Sequence, residues 1–95
     1  MVDIKLGILF DYYGELLTDK QQSFFRDYYF DNLTLQEIAD NYGISRNAVH
    51  KTLSTISKKL NFYEDKLKLY AKAEKIRELV SDINDDTKEK IYDLI

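Results

Sequence analysis

From Ser45 to Val80 the chain contains neither glycine nor proline. Nothing in that stretch terminates or kinks a helix from within, and proline is absent from the whole chain. Apolar residues elsewhere recur at helical spacing, and no segment sustains the alternation of a half-buried strand. An all-α fold is therefore expected. With 95 residues, one domain is the natural size, with room for a helical extension at most. A hydrophobic content of 44% is enough to build a core, which sets the chain apart from disordered ones.

The same residue counts remove several kinds of chemistry. Without cysteine there is no disulfide framework, thiolate zinc site or cysteine nucleophile. A single histidine, His50, cannot build a histidine-rich metal site. No phosphate loop or nucleophile elbow is present, so the chain is expected to be no enzyme and to use no metal or cofactor. No apolar run nears the roughly 20 residues needed to span a bilayer. The N-terminal residues lack the basic and apolar regions of a signal peptide. A cytoplasmic location without membrane contact follows as the expectation.

Capping signals divide the chain. Asp3 caps a first helix to about Leu16, with an apolar stripe of Ile4, Ile8, Leu9, Tyr12, Tyr13 and Leu16. Thr18 with Gln21 opens a second helix to about Phe30, whose Phe24, Phe25, Tyr28 and Tyr29 are core candidates. Thr34 with Glu37 opens a short third helix ending at Tyr42-Gly43. Ser45 caps a fourth, which can run unbroken to Val80, with Asn61 the candidate break. Residues 81–85 interrupt the pattern, and a last helix is expected over about 86–94.

Residues 34–53 carry the functional signal. A helix-turn-helix needs a small residue where its helices touch, and Ala39 is one. It needs a residue that accepts positive φ four positions later, and Gly43 does. It needs apolar residues to lock the second helix down, here Ile38, Ile44, Val49 and Leu53. The expected binding residues are Thr34 and Gln36 on the third helix, with Ser45, Arg46, Asn47, His50, Lys51 and Ser54 at the start of the fourth. Arginine and asparagine read guanine and adenine through paired hydrogen bonds, and lysine or serine can serve bases or phosphates. Lys58 and Lys59, two turns on, are expected to reach only the backbone.

The formal charge of −3 is unevenly spread. Residues 45–60 hold Arg46, Lys51, Lys58 and Lys59 and no acid, whereas residues 1–44 are strongly acidic. One basic helix in an acidic chain is the footprint of a nucleic-acid partner, or an ordinary solvated face.

Leu17-Thr18-Asp19-Lys20-Gln21-Gln22, Tyr28-Tyr29-Phe30, Leu33-Thr34-Leu35-Gln36-Glu37-Ile38-Ala39 and Ile44-Ser45-Arg46-Asn47-Ala48-Val49 resemble region 4 of sigma factors. That region recognises the −35 promoter element. The resemblance is closer to the YlxM-like helix-turn-helix family and extends through Leu60-Asn61-Phe62-Tyr63-Glu64 and beyond. It implies a sigma-region-4-like helix-turn-helix bundle without winged elements, followed by a long C-terminal helical extension. It also implies DNA as partner and a regulatory role linked to the signal recognition particle pathway, by genomic association rather than chemistry.

Beyond the motif, Val49, Leu53, Ile56, Leu60, Tyr63, Leu67 and Tyr70 keep a heptad spacing, and Leu69, Ala73, Ile76, Val80 and Ile83 follow in a second phase. These positions either fold back onto the first two helices or pair with another subunit; a homodimer is the expectation. The division expected is 1–60 for the helix-turn-helix domain and 61–95 for the extension. Two functions remain in view: a DNA-binding regulator, or a docking module of the targeting pathway without sequence-specific nucleic-acid binding. RNA is a weaker third, since none of the common RNA-binding modules is apparent.

Overall fold

A computed structural model describes residues 3–95. Six α-helices follow one another: α1 (Ile4–Tyr13), α2 (Asp19–Tyr29), α3 (Leu35–Tyr42), α4 (Arg46–Leu67), α5 (Leu69–Leu79) and α6 (Asp85–Tyr92). A 3-10 turn at Gly14–Leu16 tightens the exit from α1. The described residues contain no strand, hence no wing. The all-α helix-turn-helix expectation is met.

The caps explain most boundaries. Asp3 accepts the Leu6 N–H at 3.2 Å. Thr18 and Gln21 cap each other across the first turn of α2, each bond 3.1 Å long. Thr34 and Glu37 do the same for α3, at 3.0 and 3.1 Å. Ser45 accepts the Ala48 N–H at 3.1 Å. Each pairing satisfies donors that the first helical turn leaves open.

α4 crosses α1, α2 and α3 and is the spine of the core. Its Val49, Leu53, Ile56 and Leu60 are buried against Leu9, Tyr13, Phe24, Phe25 and Ile38. Stacked rings bind the layers: Phe10 on Phe25 at 4.3 Å, and Phe24 on Tyr42 at 4.3 Å. α1 buries Leu9 and Tyr13 of the expected stripe but is rotated from it at the edges. Leu6, Leu9, Phe10 and Tyr13 are buried, whereas Ile4 and Leu16 are 77% and 55% exposed. Phe10, outside the expected stripe, is drawn in by its stack on Phe25.

The stretch 45–80 is not one helix, and Asn61 is not where it breaks. The interruption is at Lys68, a left-handed residue at φ 56°. A non-glycine there costs about 1 kcal/mol or more. The reason is a change of phase in the apolar pattern. At about 100° per residue, Val49, Leu53, Ile56 and Leu60 share one side of a helix. Leu69, Ala73, Ile76 and Val80 would lie roughly 160° round on a straight continuation. Bending at Lys68 turns α5 so that Ala73 is buried and Tyr70 packs against the core.

Side chains complete the bend. The Tyr13 hydroxyl donates to Glu64 Oε1 at 2.6 Å and accepts the Leu69 N–H at 3.0 Å. Glu64 accepts the N–H groups of Tyr70 at 3.1 Å and Ala71 at 3.0 Å. The three open donors of α5 are thus served by α1 and α4. α6, capped by Asn84, buries no residue and folds beside the end of α5, where Lys88 Nζ donates to the Ser81 carbonyl at 2.9 Å. The molecule measures 53 × 25 × 21 Å, so the C-terminal helices make it elongated.

Candidate nucleic-acid interface

The turn between α3 and α4 is built by Gly43 and Ala39. Gly43 sits at φ 65°, in the left-handed region that side-chain-bearing residues adopt at a cost. Its N–H and that of Ile44 both return to the Ala39 carbonyl, the latter at 3.0 Å. Ala39 itself is 1% exposed, within the core that α3 and α4 share. Ile38, Val49 and Leu53 are buried and Ile44 partly so, which fixes α4 against α3. Tyr42, the last residue of α3, ties this same end to α2, donating to Asp27 Oδ2 at 3.0 Å.

That scaffold presents the first turns of α4 to solvent. Ser45, Arg46, Asn47, His50 and Lys51 are exposed, and Ser54 is half-buried. Ser45, Asn47, His50 and Lys51 line a shallow concavity of about 420 Å³ with Ala48. Lys58 continues this exposed stripe two turns on. None of Arg46, Lys51 and Lys58 is held in an ion pair among the described residues. Their charges are therefore free to meet an anionic partner.

The other expected residues separate from this group. Lys59 is half-buried on another side of α4, its Nζ 3.4 Å from Gln21 Oε1 at the start of α2. Adjacent helical residues diverge by about 100°, so Lys58 and Lys59 do not act as a pair. Thr34 is committed to the α3 capping box. Gln36 is exposed, but its amide donates to Asp40 at 2.9 Å, which brings an acid beside it.

A second hollow, about 230 Å³, lies between α2 and α4, lined by Tyr28, Tyr29, Leu35, His50, Leu53, Ser54 and Ser57. His50 and Ser54 join it to the exposed stripe. Burial raises the Tyr29 hydroxyl above its ordinary value of 10.0, while a hydrogen bond with Ser57 opposes the rise. Ser57 was legible only as the next helical position after His50 and Ser54. The aromatic wall requires knowing that α2 packs beside α4.

Among the described residues no three metal-ligating side chains converge. No described helix is long and apolar enough to cross a membrane.

A four-helix core whose second motif helix stands exposed after a glycine turn defines a helix-turn-helix protein. The family model for UPF0122, the YlxM / p13 like helix-turn-helix proteins, matches residues 2–94, and the chain belongs to that family. A UPF0122 protein of Desulforamulus reducens is 46% identical over 81 residues, covering 84% of this chain and 69% of its own. One from Shouchella clausii is 41% identical over 80 residues, covering 84% and 73%. One from Malacoplasma penetrans is 39% identical over 82 residues, covering 86% and 77%.

Proposed function

We propose that this protein is a non-enzymatic regulator that binds DNA through the N-terminal half of α4. One observation carries the reading: Ser45, Arg46, Asn47, His50, Lys51, Ser54 and Lys58 form an acid-free stripe. The turn at Gly43 raises its leading end clear of α3. Arg46 and Asn47 occupy the first turn, where a major-groove helix reaches base edges. Lys51 and Lys58 lie further along and serve phosphates. In this reading residues 1–60 form the recognition unit and 61–95 an extension that brings two copies together. Few cations on an acidic chain give weak binding singly, and two units on one duplex raise the effective concentration. The protein would work in the cytoplasm, and its regulatory target would be the signal recognition particle pathway, as its family resemblance implies.

A protein-docking module is the second reading, favoured by the exposed acids Asp11, Glu15, Asp19, Asp31 and Asp40 on α1–α3 and their loops. Selection of purified protein against random DNA and RNA pools at roughly 50 mM salt separates the two. Saturable binding to an enriched duplex DNA is the expected result. Enrichment of RNA alone replaces the ligand, and no saturable binding to either pool leaves the docking reading in its place.

A further inference from the structure

The α4–α5 joint contains the means of two arrangements. In a continuous helix the N–H groups of Leu69, Tyr70 and Ala71 would donate to the carbonyls four residues earlier, those of Asp65, Lys66 and Leu67. In the bent joint the same three donors go to Tyr13 Oη and the two Glu64 oxygens. The bond immediately before them, Lys68 N–H to Glu64 carbonyl at 2.8 Å, is helical, as is the next after them, Lys72 N–H to Lys68 carbonyl at 2.8 Å. The interruption is therefore confined to three donors, none of which is left open. No glycine or proline stands in the way of the straight form. Against it stand the burial of Ala73 and the Tyr13–Glu64 bond; in its favour stands relief of left-handed Lys68.

The straight form would also assemble a surface. Phe62 and Leu69 are 56% and 44% exposed already. On a straight helix they line up with Ala73, Ile76 and Val80, within about 60° of arc, on the side away from the core. The steps from Leu69 to Val80 are four, three and four residues, the spacing of a two-stranded coiled coil. Bent, the chain covers Ala73 itself. Straight, it leaves a stripe that a matching helix covers.

We propose that Tyr13 and Glu64 form a latch on a two-state joint. Latched, α5 folds against α1; released, α4 and α5 merge, and the Phe62–Leu69–Ala73–Ile76 stripe pairs with the same stripe of a second copy. The homodimer of the preceding reading is thereby given a surface and a control, independent of whether α4 binds nucleic acid.

The test uses the full chain carrying spin labels at Thr55→Cys and Lys75→Cys, both exposed positions in a chain without native cysteine. A continuous helix separates these backbone positions by roughly 30 Å, and any bend brings them closer. Tyr13→Phe and Glu64→Gln together should populate the longer distance, keep helical ellipticity, and raise the sedimenting mass to that of a dimer. Lys68→Gly, which removes the left-handed cost, should hold the short distance and a monomer. Retention of the short distance in the double variant overturns the latch, as does lengthening with loss of ellipticity, since α5 would then merely detach. Lengthening without a dimer overturns the second copy as occupant of the stripe.

Discussion

Tyr42 on α3 donates its hydroxyl to Asp27 Oδ2 on α2 at 3.0 Å while its ring stacks on Phe24 at 4.3 Å. One side chain thus sets both the spacing and the rotation of the short helix that supports the turn. Burial, and then the bond to Asp27, holds the hydroxyl above its ordinary value of 10.0. Tyr42→Phe keeps the stack and loses the bond, so a loss of about 1 kcal/mol is expected. Tyr42→Ala removes both and should cost about 3 kcal/mol. Urea unfolding of both variants checks the order; equal losses would mean that the ring contributes little.

Gly43 gives a sharper case because space is not the constraint. A Cβ built there meets nothing within 4 Å, yet φ is 65°. The cost of a side chain is therefore conformational alone. Gly43→Ala should lower stability by about 1–2 kcal/mol, and Gly43→Asn by less, since asparagine tolerates the left-handed region. Thermal unfolding separates them, the alanine variant melting lower. Reversal of that order would place the strain elsewhere in the turn.

The linkage of Glu64 to pH follows from its partners. Burial alone would raise this carboxyl, but the bonds from Tyr13, Tyr70 and Ala71, with Lys5 nearby, hold it below its ordinary value of 4.5. A group whose folded value is depressed contributes stability above its unfolded value and loses it as pH falls through the folded one. The joint should therefore be intact above about pH 4.5 and loosen in stronger acid. Tyr13 behaves oppositely: burial and the Glu64 bond raise it above 10.0, so its contribution fades in strong alkali. The distance between labels at Thr55→Cys and Lys75→Cys, followed from neutral pH into acid, should show the step in the otherwise unaltered chain, since a merged helix would keep the Leu69, Tyr70 and Ala71 donors bonded. Its persistence in Glu64→Gln would assign the step to another carboxylate.

Local signals gave boundaries where a side chain bonds within its own first turn. Asp3, Thr18, Thr34, Ser45 and Gly43 all act as their types and positions suggest. The break at Lys68 was written in the sequence as well, as a second phase of apolar residues beginning at Leu69. Composition drew attention to Asn61 instead, but Asn61 simply bonds its side chain back to the Ser57 carbonyl at 2.9 Å within an unbroken helix. What no local pattern could supply is Tyr13, whose hydroxyl reaches Glu64 across 51 residues. The candidate interface divides the same way. The exposed stripe on α4 and the i,i+4 bond of Gln36 to Asp40 follow from helical period, whereas the diversion of Lys59 to Gln21 depends on a tertiary neighbour.

That diversion separates two lysines that adjacent numbering would group together. If α4 enters a major groove, Arg46→Ala should weaken binding to a preferred duplex by about 1–3 kcal/mol and relax discrimination at one base pair. Lys58→Ala should weaken all sequences alike and reduce the salt slope by roughly one phosphate contact. Lys59→Ala should change neither, because its ammonium lies toward Gln21 rather than along the exposed stripe. The fold should tolerate Arg46→Ala and Lys58→Ala, whose side chains are exposed. Fluorescence anisotropy with selected and scrambled duplexes across a salt series reads all three. A Lys59 effect as large as that of Lys58 would require the bound helix to present another side. An Arg46 effect equal on both duplexes would reduce that residue to a phosphate contact and leave base reading to Asn47 and His50.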